Sequence, residues 1–211
     1  MSEKLKTCYT IIPGEVHFFQ FSSQLPFTEK SRLFQNFLRE TLGNYCTVPP
    51  ESLLFEYNDH GKPSLASHCS PFPIQFNLSH SGDRAVLAVS HGAAVGVDIE
   101  LIRPRKHIRD IVTRFFTHEE REFVFTCGDE EELLQRFYSL WVRKEAVVKT
   151  MGESLPPWLK TISPLPVKPA DTWIPVETPV LPEASLTCFD VFPGYLGALC
   201  VEGPPVSLVF K

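Results

Sequence analysis

The apolar residues of this chain recur at helical spacing in three stretches, which predicts helices over residues 29–45, 108–116 and about 130–151. A further helix is predicted to begin after Thr117, since Thr117 and Glu120 have the spacing of an N-capping box. The longest helix carries one broad apolar stripe, formed by Leu133, Leu134, Phe137, Leu140, Trp141, Val147 and Val148. These amphipathic patterns indicate helices that pack against other elements.

Between residues 52 and 102 the pattern is typical of short strands. Strands are predicted over 52–57, 74–78, 84–90 and 95–101, with a turn at 58–63. The last two strands flank small residues at 91–94, which predicts a β-hairpin. Because strand side chains alternate, one face of the last strand carries Val95, Val97, Ile99 and Leu101, and the other carries Gly96, Asp98 and Glu100.

The last third of the chain is rich in proline, and this excludes a helix throughout. Apolar runs at 185–192 and 195–201 predict two paired strands joined by proline-rich loops. The order of helix followed by β structure occurs in residues 29–102 and again in 108–211. We therefore expect either one domain or two small packed halves, with internal duplication as a hypothesis.

Composition narrows the class of protein. Hydrophobic residues make up 43% and charged residues 21%, as in an ordinary globular protein, and the net charge of −5 argues against nucleic acid as the main partner. No apolar run reaches the ~20 residues of a membrane span. The six cysteines show no zinc-site spacing, and no signal-peptide pattern follows residues 1–6. We expect a cytoplasmic protein with free thiols.

Three carboxylates and two lysines carry the clearest chemical signal. Asp98 and Glu100 share a strand face, while Glu145 borders the apolar stripe between Lys144 and Lys149. Such a set predicts a hard divalent cation that holds a phosphate-bearing substrate. Plainer interpretations stay open at this point. Asp98 and Glu100 could form the solvated face of a hairpin, and Glu145 could simply pair with Lys149 one turn on.

A second group of polar residues could bind phosphate. His80 stands among hydroxyls, including that of Ser79, just after a predicted strand. Imidazole and backbone N–H groups at such a turn bind anions. Lys62, in the turn Gly61-Lys62-Pro63, and Lys30, at the start of the first helix, add positive charge. Plainer interpretations are open for each of these residues. His80 could belong to a turn network, Gly61-Lys62-Pro63 could be an ordinary tight turn, and Lys30 could be a surface charge.

Five segments occur in a specific order between residues 61 and 149: Gly-Lys-Pro, Phe-Asn-Leu-Ser-His-Ser, Gly-Val-Asp-Ile-Glu, Arg-Phe-Phe-Thr-x-x-Glu and Trp-x-x-Lys-Glu-Ala-x-x-Lys. This series resembles the 4′-phosphopantetheinyl transferases, of the broad-specificity type that activates surfactin synthetase. The resemblance implies an α+β fold of two similar halves, 1–103 and 104–211, related by pseudo-twofold symmetry. Coenzyme A and a metal ion would lie in the cleft between the halves.

The resemblance also implies a reaction and a set of partners. Coenzyme A would give its 4′-phosphopantetheine group to a serine of an apo acyl or peptidyl carrier protein, and adenosine 3′,5′-bisphosphate would leave. The implied metal is Mg²⁺, with Mn²⁺ as a substitute. Since both halves lie in one chain, we expect a monomer, with neither nucleic acid nor membrane as a partner.

The roles of individual residues follow from their positions in the matched motifs. Asp98, Glu100 and Glu145 match the metal ligands, and Glu145 also matches the group that removes the serine proton, directly or through water. Lys144 and Lys149 match lysines near the pyrophosphate. The remaining positions match groups that hold coenzyme A, namely Lys30, Lys62, Ser79 and His80. Val142 departs from the family pattern, which often has a small residue there.

Two other classes of function fit the same residues. A metal-dependent phosphohydrolase would use the three carboxylates to direct water at a phosphate. A non-catalytic module would bind coenzyme A or a carrier protein without reaction. The complete set of Asp98, Glu100, Glu145 and Lys149 favours an enzyme over a binding module.

Overall fold

A computed structural model describes residues 8–23, 27–70, 72–165 and 171–211 of the chain, and it has a mixed α+β architecture. The helices are α1 (Phe27–Cys46), α2 (Ile108–Phe115), α3 (His118–Phe125) and α4 (Glu130–Met151). The strands are β1 (Glu15–Ser22), β2 (Phe55–Tyr57), β3 (Pro63–Leu65), β4 (Ile74–Ser81), β5 (Arg84–His91), β6 (Val95–Leu101), β7 (Ile174–Val176), β8 (Ala184–Phe189), β9 (Tyr195–Glu202) and β10 (Ser207–Phe210). The predicted α+β class is confirmed. No helix in these ranges is long and apolar enough to cross a membrane.

The strands form two four-stranded sheets and a small hairpin. The first sheet has the order β10-β1-β5-β4, the second has the order β6-β9-β8-β7, and β2 pairs with β3. The prediction that β5 and β6 form a hairpin is wrong, because β5 pairs with β1 and β4 whereas β6 pairs with β9. The short connection between them carries the chain from one sheet to the other. β6 thereby gains burial on both faces, and a two-stranded hairpin would not provide that.

The two sheets meet along β4 and β6 through side chains rather than a backbone ladder. Three alternating side chains of β4 accept hydrogen bonds from alternating backbone N–H groups of β6. The pairs are Asn77 Oδ1 with Val97 N at 2.9 Å, Ser79 Oγ with Ile99 N at 3.4 Å, and Ser81 Oγ with Leu101 N at 3.1 Å. These bonds satisfy N–H groups at the edge of the second sheet and fix its position beside β4.

Helix α4 covers the second sheet and packs on β6 and β9. The approach is closest at Gly96, where an added Cβ would lie 2.3 Å from both Ala146 O and Thr150 N. Glycine is therefore required for this contact. Since Gly96, Asp98 and Glu100 share a strand face, the same approach turns both carboxylates toward α4. The opposite face of β6 packs on the first sheet through Val16, Phe18, Val86, Ala88, Val95, Val97 and Ile99.

Near the end of the chain, β8 and β9 pair in antiparallel fashion, as predicted. Strands β1 and β10 were not predicted, and they pair in parallel, so the end of the chain returns to the first sheet. Each sheet thus contains strands from both sides of residue 103, and the division of the chain there stays a prediction. Part of the predicted proline-rich loop, residues 166–170, lies outside the described residues, as do residues 1–7.

Candidate active site

Asp98 is the centre of the candidate site. The residue is only 4% exposed, and its Oδ1 accepts hydrogen bonds from Ser79 Oγ at 2.9 Å and from Lys149 Nζ at 2.6 Å. The second oxygen, Oδ2, is buried and has no hydrogen-bond partner among the described residues. A buried carboxylate oxygen without a partner is costly, which marks this position as one that a cation or a ligand donor would complete.

Glu100 lies two residues further along the same face of β6. Ser81 Oγ donates a hydrogen bond of 2.7 Å to its Oε2. Burial raises the pKa of Glu100, and the nearby negative charge of Asp98 raises it further. Ser81 was not among the predicted site residues, because the predicted strand ended at Leu78 whereas β4 extends to Ser81. The alternation of Asn77, Ser79 and Ser81 was the signal that could have found it.

Glu145 brings a third carboxylate to this region from helix α4. Burial and the negative charges of Asp98 and Glu100 raise its pKa to about 7, although the Lys149 ammonium opposes the shift. Glu145 and Lys149 are four residues apart and thus share a helix face. The structure therefore brings together Asp98, Glu100, Glu145 and Lys149, and it places Ser79 with them.

The residues of this site are of the types that bind a cation, but they are not arranged as a complete metal site. No cluster of three or more His, Cys, Asp or Glu side chains within the described parts of the chain is already arranged around a metal position. Two observations nevertheless fit a divalent cation. Asp98 Oδ2 lacks a partner, and the pKa values of Glu100 and Glu145 are raised partly by neighbouring negative charge. Hard cations bind oxygen ligands of this kind in their ionised form.

A pocket of about 230 Å³ lies beside the hydroxyl-bearing strand β4. His80 lines it, and its ring stacks on Phe34 with 5.0 Å between ring centroids. Partial desolvation lowers the pKa of His80, and the Lys149 cation lowers it further. At the end of the same strand, Lys30 Nζ donates a hydrogen bond of 3.3 Å to Gly82 O. The other residues that line the pocket are Gln35, Leu38, Phe55, Tyr57, Gly61, Pro63, Asn77 and Leu78.

The structure does not place the Lys62 ammonium group in this pocket. Its Nζ donates to Lys149 O at 2.6 Å, to Thr150 O at 3.1 Å and to Val95 O at 3.1 Å. These three bonds use all of its hydrogens and satisfy two carbonyls at the end of α4 and one in β6. Burial lowers the pKa of Lys62 to about 8. The contact of Lys62 with coenzyme A stays a prediction.

Lys144 is also placed away from the carboxylates. It is fully buried, and its Nζ lies 2.7 Å from Glu120 Oε1 and donates to the carbonyls of Leu159, at 2.7 Å, and Ile162. Burial lowers its pKa, and Glu120 opposes that shift. The catalytic, pyrophosphate-binding role of Lys144 stays a prediction; its ammonium group joins α4 to α3 and to the segment after α4. Its position in the apolar stripe, four residues after Leu140, was the available signal.

Comparison with known proteins gives a family match for part of this chain and several curated relatives. Residues 94–179 match the family model of the 4′-phosphopantetheinyl transferase superfamily. The 4′-phosphopantetheinyl transferase HetI of Nostoc is 34% identical over 132 residues, which cover 61% of this chain and 55% of that protein. The 4′-phosphopantetheinyl transferase AcpT of Escherichia coli is 41% identical over 116 residues, 55% of this chain and 56% of that protein.

A third relative extends further along the chain. The 4′-phosphopantetheinyl transferase gsp of Aneurinibacillus migulanus is 27% identical over 168 residues, which cover 72% of this chain and 67% of that protein. The chain otherwise spans about half the length of the curated relatives named above. The resemblance predicted from the sequence is thus confirmed: residues 94–179, which carry Asp98, Glu100, Glu145 and Lys149, match the family model of the 4′-phosphopantetheinyl transferase superfamily.

Proposed function

We propose that this protein transfers the 4′-phosphopantetheine group of coenzyme A to a serine of an apo acyl or peptidyl carrier protein, with Mg²⁺, and releases adenosine 3′,5′-bisphosphate. The observation that carries the proposal is the environment of Asp98. One of its oxygens is bonded to Ser79 and Lys149, and the other is buried without a partner. Asp98 and Lys149 both lie in the segment that matches the superfamily.

The chemistry assigns a separate role to each group. The serine Oγ forms a bond to the phosphorus that bears the pantetheine, and the bond from that phosphorus to the bridging oxygen breaks. The bridging oxygen leaves with the adenosine bisphosphate. Glu145 accepts the serine proton, directly or through one water.

Charge compensation is the second requirement of this reaction. Asp98, Glu100 and Glu145 would hold Mg²⁺, which when bound would neutralise charge on the pyrophosphate. Lys149 would contribute a second positive charge at the same place, because its Nζ already lies 2.6 Å from Asp98. Ser79 and Ser81 would keep the two strand carboxylates oriented through their hydrogen bonds.

Coenzyme A would enter from the side of the pocket that His80 lines. Its nucleotide phosphates would meet His80 and Lys30, which lie on the first sheet and on α1. The pyrophosphate would then lie at Lys149. We include in this proposal the two similar halves, 1–103 and 104–211, their pseudo-twofold symmetry, and the monomeric state.

The experiment that tests the proposal is the intact mass of an apo acyl carrier protein and an apo peptidyl carrier protein. Each is incubated with this protein, coenzyme A and Mg²⁺, with EDTA in a parallel sample. We expect a gain of one phosphopantetheine group that EDTA abolishes. Release of adenosine 3′,5′-bisphosphate without any carrier would instead support a phosphohydrolase. Binding of coenzyme A with no change in mass would support a non-catalytic module.

A further inference from the structure

A tyrosine of the second sheet is hydrogen-bonded to the turn that joins β4 to β5 in the first sheet. Tyr195, the first residue of β9, is buried, and its Oη donates a hydrogen bond of 2.7 Å to Asp83 Oδ1. This bond is the main cause that lowers the pKa of Asp83, so a charged carboxylate accepts it. The Asp83 carbonyl accepts a hydrogen bond of 2.8 Å from Ser23 N, just after β1. Asp83 is therefore held from both sheets.

Asp83 continues the series of side-chain contacts that joins β4 to the second sheet. Asn77, Ser79 and Ser81 accept hydrogen bonds from backbone N–H groups of β6. Asp83 is the next residue in this alternation, and it accepts from the hydroxyl group of Tyr195 instead. The Tyr195–Asp83 bond thus extends the junction of the two sheets beyond β4 and into the turn.

The turn is also packed closely against the start of β9. A Cβ added at Gly82, which has a φ of +59°, would lie 2.7 Å from Tyr195 Oη and 3.5 Å from Leu101 Cδ2. The Arg84 guanidinium lies over the Phe192 ring, 4.8 Å from its centroid, and that ring meets the Tyr195 ring edge-on with 5.9 Å between centroids. Packing therefore holds Tyr195 where its hydroxyl group reaches Asp83.

Two groups of the candidate active site depend on the position of this turn. Ser81, the residue just before it, donates the 2.7 Å hydrogen bond to Glu100 Oε2. The carbonyl of Gly82, within the turn, accepts the 3.3 Å hydrogen bond from Lys30 Nζ. A displacement of the turn would therefore move the partner of a strand carboxylate and the partner of Lys30 together.

We propose that Tyr195 and Asp83 are positioning residues for the candidate active site. Their hydrogen bond holds the turn so that Ser81 orients Glu100 toward the cation and the Gly82 carbonyl keeps Lys30 beside the coenzyme. Both residues act through the turn. This proposal rests on the proposed function, because Glu100 and Lys30 are the groups that it positions. Loss of a residue that orients a metal ligand typically weakens metal binding about 10–100-fold.

The test is Tyr195→Phe, which keeps the ring and removes only the hydroxyl group. Tyr45→Phe is the matched control, since Tyr45 is also buried and its Oη lies 2.6 Å from His17 Nδ1, in the first sheet. Calorimetry gives the affinity for coenzyme A, electron paramagnetic resonance gives the affinity for Mn²⁺, and thermal unfolding gives the stability. We expect Tyr195→Phe to weaken both affinities about tenfold. Tyr45→Phe should lower the melting temperature alone.

Variants of Asp83 show whether the bond itself is responsible. Asp83→Ala should weaken both affinities as Tyr195→Phe does, and the double variant should bind no more weakly than either single variant, because one bond is lost in each. Asp83→Asn keeps an oxygen that can accept the bond and should retain both affinities. Additive losses in the double variant would contradict a shared role.

These binding measurements separate the proposal from the reaction assignment, because they require no transfer. If the wild-type protein binds coenzyme A and Mn²⁺ but modifies no carrier protein, the reaction assignment fails and the positioning role is still tested. A folded Tyr195→Phe variant with both affinities unchanged would overturn the positioning role, whatever the activity is. A fall in its melting temperature alone, as in Tyr45→Phe, would show that the bond only stabilises the fold.

Discussion

Lys149 Nζ lies 2.6 Å from Asp98 Oδ1 and 3.1 Å from Ser79 Oγ, so one ammonium group joins helix α4 to the edge strands of both sheets. The same cation lowers the pKa of Glu145, against the larger effect of burial. Lys149 therefore has two effects in the site. It supplies positive charge where a pyrophosphate would bind, and it keeps the neighbouring carboxylates easier to ionise.

Replacement of this cation tests both effects. Lys149→Met should reduce transfer about 100-fold or more, because a preorganised positive charge at a developing anion is lost. The pKa of Glu145 should rise, since the group that lowers it is gone, and the acidic limb of the rate–pH profile should move to higher pH. The measurement is the initial rate across pH with Lys160→Met as control. A profile that stays in place would show that Lys149 does not act on the base.

Glu145 should make the stability of the metal-free protein depend on pH in an unusual direction. Its pKa is raised from 4.5 to about 7, so between these values the folded protein keeps a proton that the unfolded chain has lost. Stability from this group is therefore fully present below about pH 4.5 and is lost as pH rises through about 7. Urea unfolding in EDTA across this range measures the contribution.

Glu145→Gln is the matched variant for that measurement. It keeps the size of the side chain and removes its ionisation, so the fall in stability between pH 4.5 and 7 should become shallower than in the wild-type protein. The same variant should lose nearly all transfer activity while it remains folded. Retained turnover would remove Glu145 from the roles of base and metal ligand.

The buried pair Lys144–Glu120 should be important for stability. Glu120 also accepts a hydrogen bond of 2.9 Å from Thr117 N in the capping box of α3. Lys144→Met leaves the Glu120 carboxylate buried and unpaired, and we expect a loss of about 3 kcal/mol in unfolding free energy. The double variant with Glu120→Gln should lose less than the sum of the two single losses. Additive losses would show that the two side chains do not interact.

A substitution at Gly96 tests how closely α4 approaches β6. Gly96→Ala would place a Cβ 2.3 Å from Ala146 O, a clash with backbone that no rotamer relieves. We expect a loss of about 2–3 kcal/mol in stability, together with lower activity, because Glu145 and Lys149 would move with the helix. Gly128→Ala is the control, since its Cβ would meet only Glu132 Oε2 at 3.5 Å. A neutral Gly96→Ala would contradict the packing described above.

A Lys62 variant tests whether this lysine stabilises the fold or contacts coenzyme A. Because its Nζ is fully used by two carbonyls at the end of α4 and one in β6, Lys62→Met should lower the melting temperature and kcat, with little change in the KM for coenzyme A. Steady-state kinetics and thermal unfolding of the same preparation measure these quantities. A large rise in that KM at an unchanged melting temperature would instead show that Lys62 contacts coenzyme A.

The sequence by itself determined the local features and the resemblance to a superfamily. The capping box at Thr117 and Glu120, the span of α4 and the shared face of Asp98 and Glu100 all depend on residues a few positions apart. Such features follow from the 3.6-residue and two-residue periods of helices and strands. The ordered motifs supported the resemblance, because the identity and spacing of functional residues can be recognised without the geometry of the site.

Only the tertiary structure decided which of these elements meet. The β5–β6 hairpin was a wrong prediction because strand pairing is a long-range choice, and β6 gains more burial between the first sheet and α4 than it would beside β5. Lys144 and Lys149 belong to one motif, yet the helix turns them to different faces, one toward the core and one toward Asp98. The motif named both lysines, and packing around α4 determined which of them reaches the carboxylates.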